Sequence, residues 1–384
     1  MHTLFILIFL FCIFLIFYIY AGYPLVILCI GALRPKPVRR LPGFEPFVTI
    51  LIPAYNEEEG IGGTLENKLA LDYPSDKLEI IVVSDGSEDR TEAVVRSYAD
   101  AGVKLLRQEP RAGKTMALNL AVSSTGGEIV VFSDANSMYA PEALKRLVQN
   151  FADPKVGYVT GKMIYTNSGK SAIGDGCSAY MRYENMLRRL ENRVGSIVGV
   201  DGGIDAIRRG LYKPMNADQL PDFILPLQVV EQGFRVVYEP QAILKEPSLS
   251  EVSDEHKMRV RVTLRALWAL YDMRHLLSLR RYGLFAFQLW SHKVLRYICF
   301  IFLIGAYISN VALIKAGLFF QFFFLVQTAA YVGAFVSPIL EKRGVRVRML
   351  YLLRYFVLVN FSAAFGFFKF LRGDKQVFWT PRKG

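Results

Sequence analysis

The sequence predicts an α/β domain, a mostly parallel sheet with helices on both faces, flanked by transmembrane helices. Two observations predict it. Between residues 45 and 247, short β-branched or apolar runs alternate with stretches of helical periodicity, the pattern of strands joined by crossover helices. Outside that stretch the apolar residues crowd to both ends. The chain is 52% hydrophobic with a mean hydropathy of +0.27, yet its middle has ordinary globular composition.

Taking the elements in order, residues 3–33 carry no charged side chain, more than the roughly 20 residues a helix needs to cross a bilayer. A cleaved leader would have an apolar core of about 7–15 residues behind a basic start. Neither condition holds, so 1–33 reads as a retained anchor. Arg34, Lys36, Arg39 and Arg40 follow it, which places the central domain on the cytoplasmic side of an inner (plasma) membrane.

Within the domain, a strand at 48–52 ends at Pro53 and leads to a helical pattern at 61–70. A second strand, 78–83, is closed by the turn signal Ser84-Asp85-Gly86-Ser87. Helices at 90–101 and 114–122 and strands at 103–106 and 128–132 continue the alternation. Ligands of such sheets bind beyond the carboxyl ends of the strands. The polar clusters Ala54-Tyr55-Asn56-Glu57, Asp85-Gly86-Ser87 and Asp134-Ala135-Asn136 all stand there. Gly113-Lys114-Thr115 is not a phosphate-binding P-loop, because Gln108 occupies the position where that motif requires glycine. Lys114 can still serve a diphosphate.

Residues 248–292 interleave Arg265, Arg274, Arg280 and Arg281 with Leu264, Leu267, Trp268 and Leu276, which predicts amphipathic helices on the membrane surface. Apolar segments at 298–313, 318–340 and 349–368 follow. The third contains Arg354 and Asn360. Lys342, Arg343, Arg346 and Arg348 lie between the last two segments, and the tail, 369–384, is basic through Arg372, Lys375, Arg382 and Lys383. One span before the domain and three after it would put this tail outside, against the charge rule. A last segment that does not fully cross would keep it inside, and the sequence leaves both open.

The net charge of +12 thus sits beside apolar segments, which points to a lipid bilayer and away from nucleic acid. Cys12, Cys29 and Cys299 fall in apolar stretches and leave Cys177 alone in the domain, too few for a disulfide framework. His2, His256, His275 and His292 lack the spacing of a zinc site.

In order, the clusters Ile52-Pro53-Ala54-Tyr55-Asn56-Glu57, Val83-Ser84-Asp85-Gly86-Ser87, Gly113-Lys114 and Ser133-Asp134-Ala135-Asn136 resemble the inverting family 2 glycosyltransferases of the GT-A fold. Gly203-Ile204-Asp205-Ala206-Ile207-Arg208, Pro221-Asp222 and Gly233-Phe234-Arg235 extend the resemblance, which spans residues 48–261. The flanking apolar segments resemble the membrane-anchored polysaccharide-synthase branch.

The resemblance implies a nucleotide-sugar site at Pro53, Ala54, Tyr55, Glu57, Asp85, Lys114, Asp134 and Arg261, with Asp85 on the uracil or ribose. It implies Mg2+ or Mn2+ at Asp134 and Asn136, where Asn replaces the commoner second Asp and supplies an oxygen without its charge. Gly203, Asp205 and Arg208 are implied on the acceptor side, and Asp222, preceded by Pro221 in place of Glu, as the catalytic base. Asp222 also suits the N-cap of a helix at 223–232.

Of the Gln-x-x-Arg-Trp of processive synthases only Arg261 remains. The implied activity is sugar transfer with inversion from a UDP-linked donor to a saccharide, for cell-surface or exopolysaccharide synthesis. Transfer to a polyprenyl-phosphate or other lipid acceptor is the alternative, and an inactive membrane scaffold a second. Export or polymerisation partners are not legible.

Overall fold

The computed structural model describes residues 2–166, 172–247, 251–343, 345 and 347–378; Arg346, Arg382 and Lys383 lie outside them. The chain opens with helices α1 (His2–Phe17) and α2 (Tyr23–Leu33), joined by a π-helical turn, Tyr18–Gly22. The central domain runs β1 (Val48–Ala54), α3 (Ile61–Leu69), β2 (Leu78–Asp85), α4 (Thr91–Arg96), β3 (Val103–Gln108), α5 (Lys114–Val122) and β4 (Ile129–Ser133). It continues through β5 (Met138–Tyr139), α6 (Ala143–Val148), β6 (Val156–Tyr165), α7 (Ala172–Val194), β7 (Ile204–Arg208), α8 (Pro221–Glu231) and β8 (Arg235–Glu246). Seven strands and helices expected from the pattern stand within a few residues of their expected places. The fourth helix is shorter than 90–101, because a 3-10 turn, Ala99–Ala101, replaces its last part before Gly102 at φ 85°.

The strands form one eight-stranded sheet in the order β3-β2-β1-β4-β7-β6-β8-β5. Its first half is parallel: β1 pairs with β2 and β4, and β2 with β3. The second half is mixed, since β7 runs antiparallel to both β4 and β6 while β6 and β8 are parallel. Alternate residues of β1 go to opposite faces. Val48, Ile50 and Ile52 pack with Leu65, Val95 and Leu147 on one side, and Leu51 packs with Leu118, Ile224 and Leu270 on the other. Burial on both faces explains why these strands read as continuous apolar runs.

After the sheet come α9 (Val252–Asp272), α10 (Leu279–Gln288), a π-helical stretch Leu289–Val294, α11 (Leu295–Tyr297), α12 (Cys299–Leu313), α13 (Leu318–Lys342) and α14 (Arg348–Leu371). The segment expected on the membrane surface packs one face on the central domain. Ala266, Leu270, Leu276, Phe285 and Leu289 are buried in the core beneath the sheet, so one amphipathic face is spent on protein. The periodicity was the same for either neighbour.

Three helices, His2–Leu33, Leu318–Lys342 and Arg348–Leu371, are long and apolar enough to cross a membrane, and a bent pair, Leu279–Tyr297 with Cys299–Leu313, counts as a fourth if it is one span. Helix α14 runs alongside α9. Near its start, Arg259 Nη2 donates to Tyr355 Oη at 2.5 Å, and near its end Phe370 stacks edge-on against Trp268 at 4.8 Å. Arg354 within it is paired with Glu341 at 3.1 Å. The following residues rest on the domain as well: Trp268 Nε1 donates to the Asp374 carbonyl at 2.8 Å, and Lys375 pairs with Asp218 at 2.5 Å.

Helix α7 ties the apolar helices to the sheet. Its Glu191 accepts from Tyr23 Oη at 2.5 Å and lies 2.6 Å from His292 Nδ1, while Glu184 pairs with Arg296. On the same helix Arg188 pairs with Asp201 at 2.6 Å and donates to the Gly199 carbonyl at 3.0 Å.

Candidate active site

The three parallel strands β1, β2 and β4 end side by side, and their following loops make one wall of a cavity of about 150 Å³. Pro53 comes from the end of β1, Glu57 from the loop after it, Asp134 and Asn136 from the loop after β4, and Lys114 from the first turn of α5. Asp222 from α8 and Arg261 and Arg265 from α9 complete the lining.

The loops are cross-tied. Asn56 sits at φ 52°, a left-handed conformation that asparagine tolerates. Its amide donates to Ser87 Oγ at 3.2 Å, and its Oδ1 accepts from the Glu88 amide at 2.9 Å. The Glu57 amide donates to Thr91 Oγ1 at 2.8 Å. Asp85 is fully buried. Its carboxylate accepts from the amides of Ala112 (2.8 Å) and Gly113 (3.0 Å), and from Gln108 Nε2. Asp85 therefore shapes the loop that carries Arg111 and leads into Lys114 at the start of α5. Arg111 stacks its guanidinium 3.5 Å from the Tyr55 ring centre.

Lys114 is ion-paired with Asp134. Burial would lower the ammonium's proton affinity, but the neighbouring Asp134 outweighs it and the net shift is upward. Glu57 is pushed up to about 7 by burial, with Asp134 and Asp89 adding to it. Asp222 is also raised, by burial first and then by Asp134, against the pull of Lys114 and Arg265. Among the described residues its Oδ1 has no hydrogen-bond partner.

Leu220 is the N-cap of α8, so Asp222 is not the cap; Pro221 occupies the first turn, where its missing N–H costs nothing. Asp222 instead faces Gly202. That glycine adopts φ 85°, and a Cβ there would lie 2.5 Å from Asp222 Oδ2.

Of the predicted acceptor-side residues, Gly203 lies behind this point, its carbonyl bonded by Tyr139 Oη at 2.9 Å. Asp205 accepts from the Gly202 amide at 3.0 Å and is pushed up to about 7 by burial, with Asp222 adding to it. Arg208 does not join them. Because β7 runs antiparallel to β4, Ile204 pairs with Ser133 and Arg208 with Ile129, at the far end of the sheet. There Arg208 donates to the carbonyls of Phe151 (2.6 Å) and Val156 (2.7 Å). Ala54 is buried within the sheet beneath the cavity.

Arg265, read from the sequence as part of an amphipathic surface helix, and Gly202 were not expected at the site. Arg265 lies one turn from Arg261 on the same helix face, and it donates to Thr115 Oγ1 at 2.8 Å and to the Gln219 carbonyl. Its spacing from Arg261 was the available signal. For Gly202 it was the Gly-Gly pair.

Asp134 and Asn136 present one carboxylate and one amide oxygen to the cavity, and no group of three or more Asp, Glu, His or Cys side chains among the described residues could hold a metal ion. This donor set fits a hard divalent cation that is completed by phosphate oxygens.

The family profile described as Glycosyl transferase family 2 matches residues 49–213. An N-acetylglucosaminyltransferase of Rhizobium meliloti (strain 1021) is 29% identical over 261 residues, 63% of this chain and 59% of that one. A poly-beta-1,6-N-acetyl-D-glucosamine synthase of Staphylococcus epidermidis is 25% identical over 319 residues, 78% of this chain and 76% of that one. The chain spans about half the length of another relative, from Bacillus subtilis (strain 168). In three dimensions the chain is similar to the mannosyltransferase PcManGT of Pyrobaculum calidifontis, solved with GDP-mannose and Mn2+, with a TM-score of 0.73, 24% identity and coverage of 95% of this chain and 99% of that one. That likeness shows the GT-A fold across nearly the whole chain. With relatives named as glycosyltransferases beside the profile, residues 49–213 are identified as a glycosyltransferase family 2 domain.

Proposed function

We propose that this protein transfers a sugar with inversion from a nucleotide-sugar, UDP-linked as the resemblance implies, to an acceptor hydroxyl at the cytoplasmic face of a membrane, in cell-surface polysaccharide or glycolipid synthesis. One observation carries the reading: a single cavity is faced by Lys114, Asp134, Asn136, Arg261 and Arg265 on one side and by the Asp222 carboxyl on the other.

The cationic side receives the donor diphosphate, helped by the amides at the start of α5. Asp134 and Asn136 would hold Mg2+ or Mn2+ against that diphosphate, and the ion would supply charge stabilisation for the departing nucleoside diphosphate. The Pyrobaculum mannosyltransferase, solved with a nucleotide-sugar and Mn2+, supports the pairing. Lys114, Arg261 and Arg265 add fixed positive charge where negative charge develops. Asp222 takes the proton of the acceptor hydroxyl as its oxygen attacks the anomeric carbon. Burial raises this carboxyl toward neutrality, which strengthens it as a base.

The site residues assigned from sequence, Arg208 apart, serve this reading either at the cavity or just behind it. The contacts of α14 and of residues 374–378 with the domain support α14 as an interfacial helix that does not cross. The tail then lies on the catalytic side, in accord with the basic residues near 342 and 372.

The test is nucleotide release by the full chain in lipid nanodiscs, with a panel of UDP- and GDP-sugars and Mg2+ or Mn2+. Turnover should disappear in Asp222→Asn while donor affinity is kept. Full activity in that variant would overturn the assignment of the base.

A further inference from the structure

Between α7 and β7 the chain passes through residues 195–203 without forming a helix or a strand. Gly195, Gly199, Gly202 and Gly203 lie in this stretch, and glycine gives up more conformational freedom on folding than any other residue. Such a loop has little shape of its own and takes its shape from whatever holds it. The end of the loop is where shape matters. The three atoms nearest a Cβ built on Gly202 all belong to Asp222, from Oδ2 at 2.5 Å to Cβ and Cγ at 3.1 Å. Among the described residues Asp222 Oδ1 has no hydrogen-bond partner to orient it. The backbone at Gly202 is therefore the surface against which this carboxyl rests.

Helix α7 supplies the hold. Arg188 and Glu191 stand three residues apart, on one face of the helix. Glu191 Oε2 accepts from the Val198 amide at 3.1 Å. Arg188 Nε donates to the Gly199 carbonyl at 3.0 Å, and its Nη2 donates to the Val200 carbonyl at 3.3 Å. Its Nη1 lies 2.6 Å from the Asp201 carboxylate, which also accepts from the Met163 amide at 3.1 Å. Two side chains of α7 thus grip four consecutive residues, and the last of them adjoins Gly202.

The Arg188 and Asp201 side chains are almost fully buried, and Glu191 is wholly so. A buried ion pair adds little stability over apolar side chains of the same volume. What apolar side chains cannot do is bind two carbonyls and a carboxylate at once, as a guanidinium fork does. The pair is suited to fixing a path.

We infer that Arg188 and Glu191 are positioning residues for the transfer reaction. They set the course of residues 198–202, and that course sets the direction in which Asp222 presents its carboxyl. This rests on Asp222 as the base. Neither side chain meets a substrate in this role; the effect passes through the backbone of the loop.

The experiment compares Arg188→Lys with Tyr23→Phe in the full chain in lipid nanodiscs. Lysine keeps a charge beside Asp201 and loses the fork that reaches the two carbonyls. Tyr23 donates to Glu191 Oε1 at 2.5 Å from the other side, so phenylalanine removes a hydrogen bond from the same helix face without touching the loop. Arg188→Lys should lower kcat about 30-fold, keep the donor KM within twofold, and raise amide hydrogen exchange over residues 198–203 about tenfold. Tyr23→Phe should lower the melting temperature by about 2 °C and leave kcat and loop exchange within twofold. The double variant Arg188→Met with Asp201→Asn removes both charges and strands neither, and it should lose kcat to the same degree. An unchanged kcat in Arg188→Lys and in the double variant, an equal loss in Tyr23→Phe, or unchanged exchange over the loop would overturn the inference. Hydrogen exchange is read without turnover and so keeps the two readings apart. Full activity of Asp222→Asn removes the base, whereas a loop that stays protected in Arg188→Lys removes its positioning by α7.

Discussion

The donor and acceptor halves of the cavity are built differently. On the donor side the polar groups bind one another: Asp85 holds two backbone amides, Lys114 holds Asp134, and the loops after β1 and β2 are laced together through Asn56 and Ser87. On the proposed acceptor side Asp222 Oδ1, among the described residues, has no hydrogen-bond partner. The proposed donor half arrives preorganised for charge, whereas the acceptor half keeps its carboxyl open. Loss of a group should accordingly damage shape on the donor side and chemistry on the acceptor side.

The strongest break of that contrast is Gly202→Ala. The new methyl would meet Asp222 Oδ2 at a backbone conformation that disfavours side chains. Turnover should fall about 100-fold, with donor affinity within twofold in a nucleotide-binding titration. Asp85→Asn comes next and should act through architecture. It exchanges a buried carboxylate that accepts two amides for an amide group, which should cost about 2 kcal/mol of stability, and donor affinity should fall with it. Chemical denaturation beside nucleotide titration checks both.

A smaller effect follows from the carboxyls of Glu57 and Asp205, both raised to about 7. Between their ordinary values near 4 and that point, the folded chain binds more protons than the unfolded one, so stability should fall as pH rises through the window. The buried ammonium of Lys68, lowered to about 7 by burial, acts the other way above it, because there the unfolded chain binds the extra proton. Melting temperature should therefore pass through a minimum near pH 7, about 2–4 °C deep, and Glu57→Gln should flatten its acidic limb. Smallest of all, Arg208→Gln should leave turnover within twofold, as its guanidinium binds carbonyls at the far end of the sheet. A large loss would place it back at the acceptor.

Local chemistry made the donor half legible in the sequence. A strand ending in Ser-Asp-Gly-Ser or Ser-Asp-Ala-Asn announces both its direction and its end, and parallel neighbours bring such ends together. Direction failed at Arg208, where nothing in residues 204–208 says that the strand runs against its neighbour. The five-residue strand then carries its two charged ends to opposite edges of the sheet. Asp222 looked like a helix cap because Asp favours that position, and Pro221 was the residue that shifted the helix start by one turn position. The packing of the helix at 252–272 on the domain was not legible, because amphipathicity gives the width of an apolar face and not what covers it.

Helix α7 has a consequence for how the molecule comes apart. Its Glu184, Arg188 and Glu191 are matched by groups from the apolar helices and from the loop before β7, so neither region can detach without stranding buried charge. Heating in detergent should then give one cooperative calorimetric transition with equal van't Hoff and total enthalpies, and a fragment limited to residues 45–247 should be insoluble where the whole chain is well behaved.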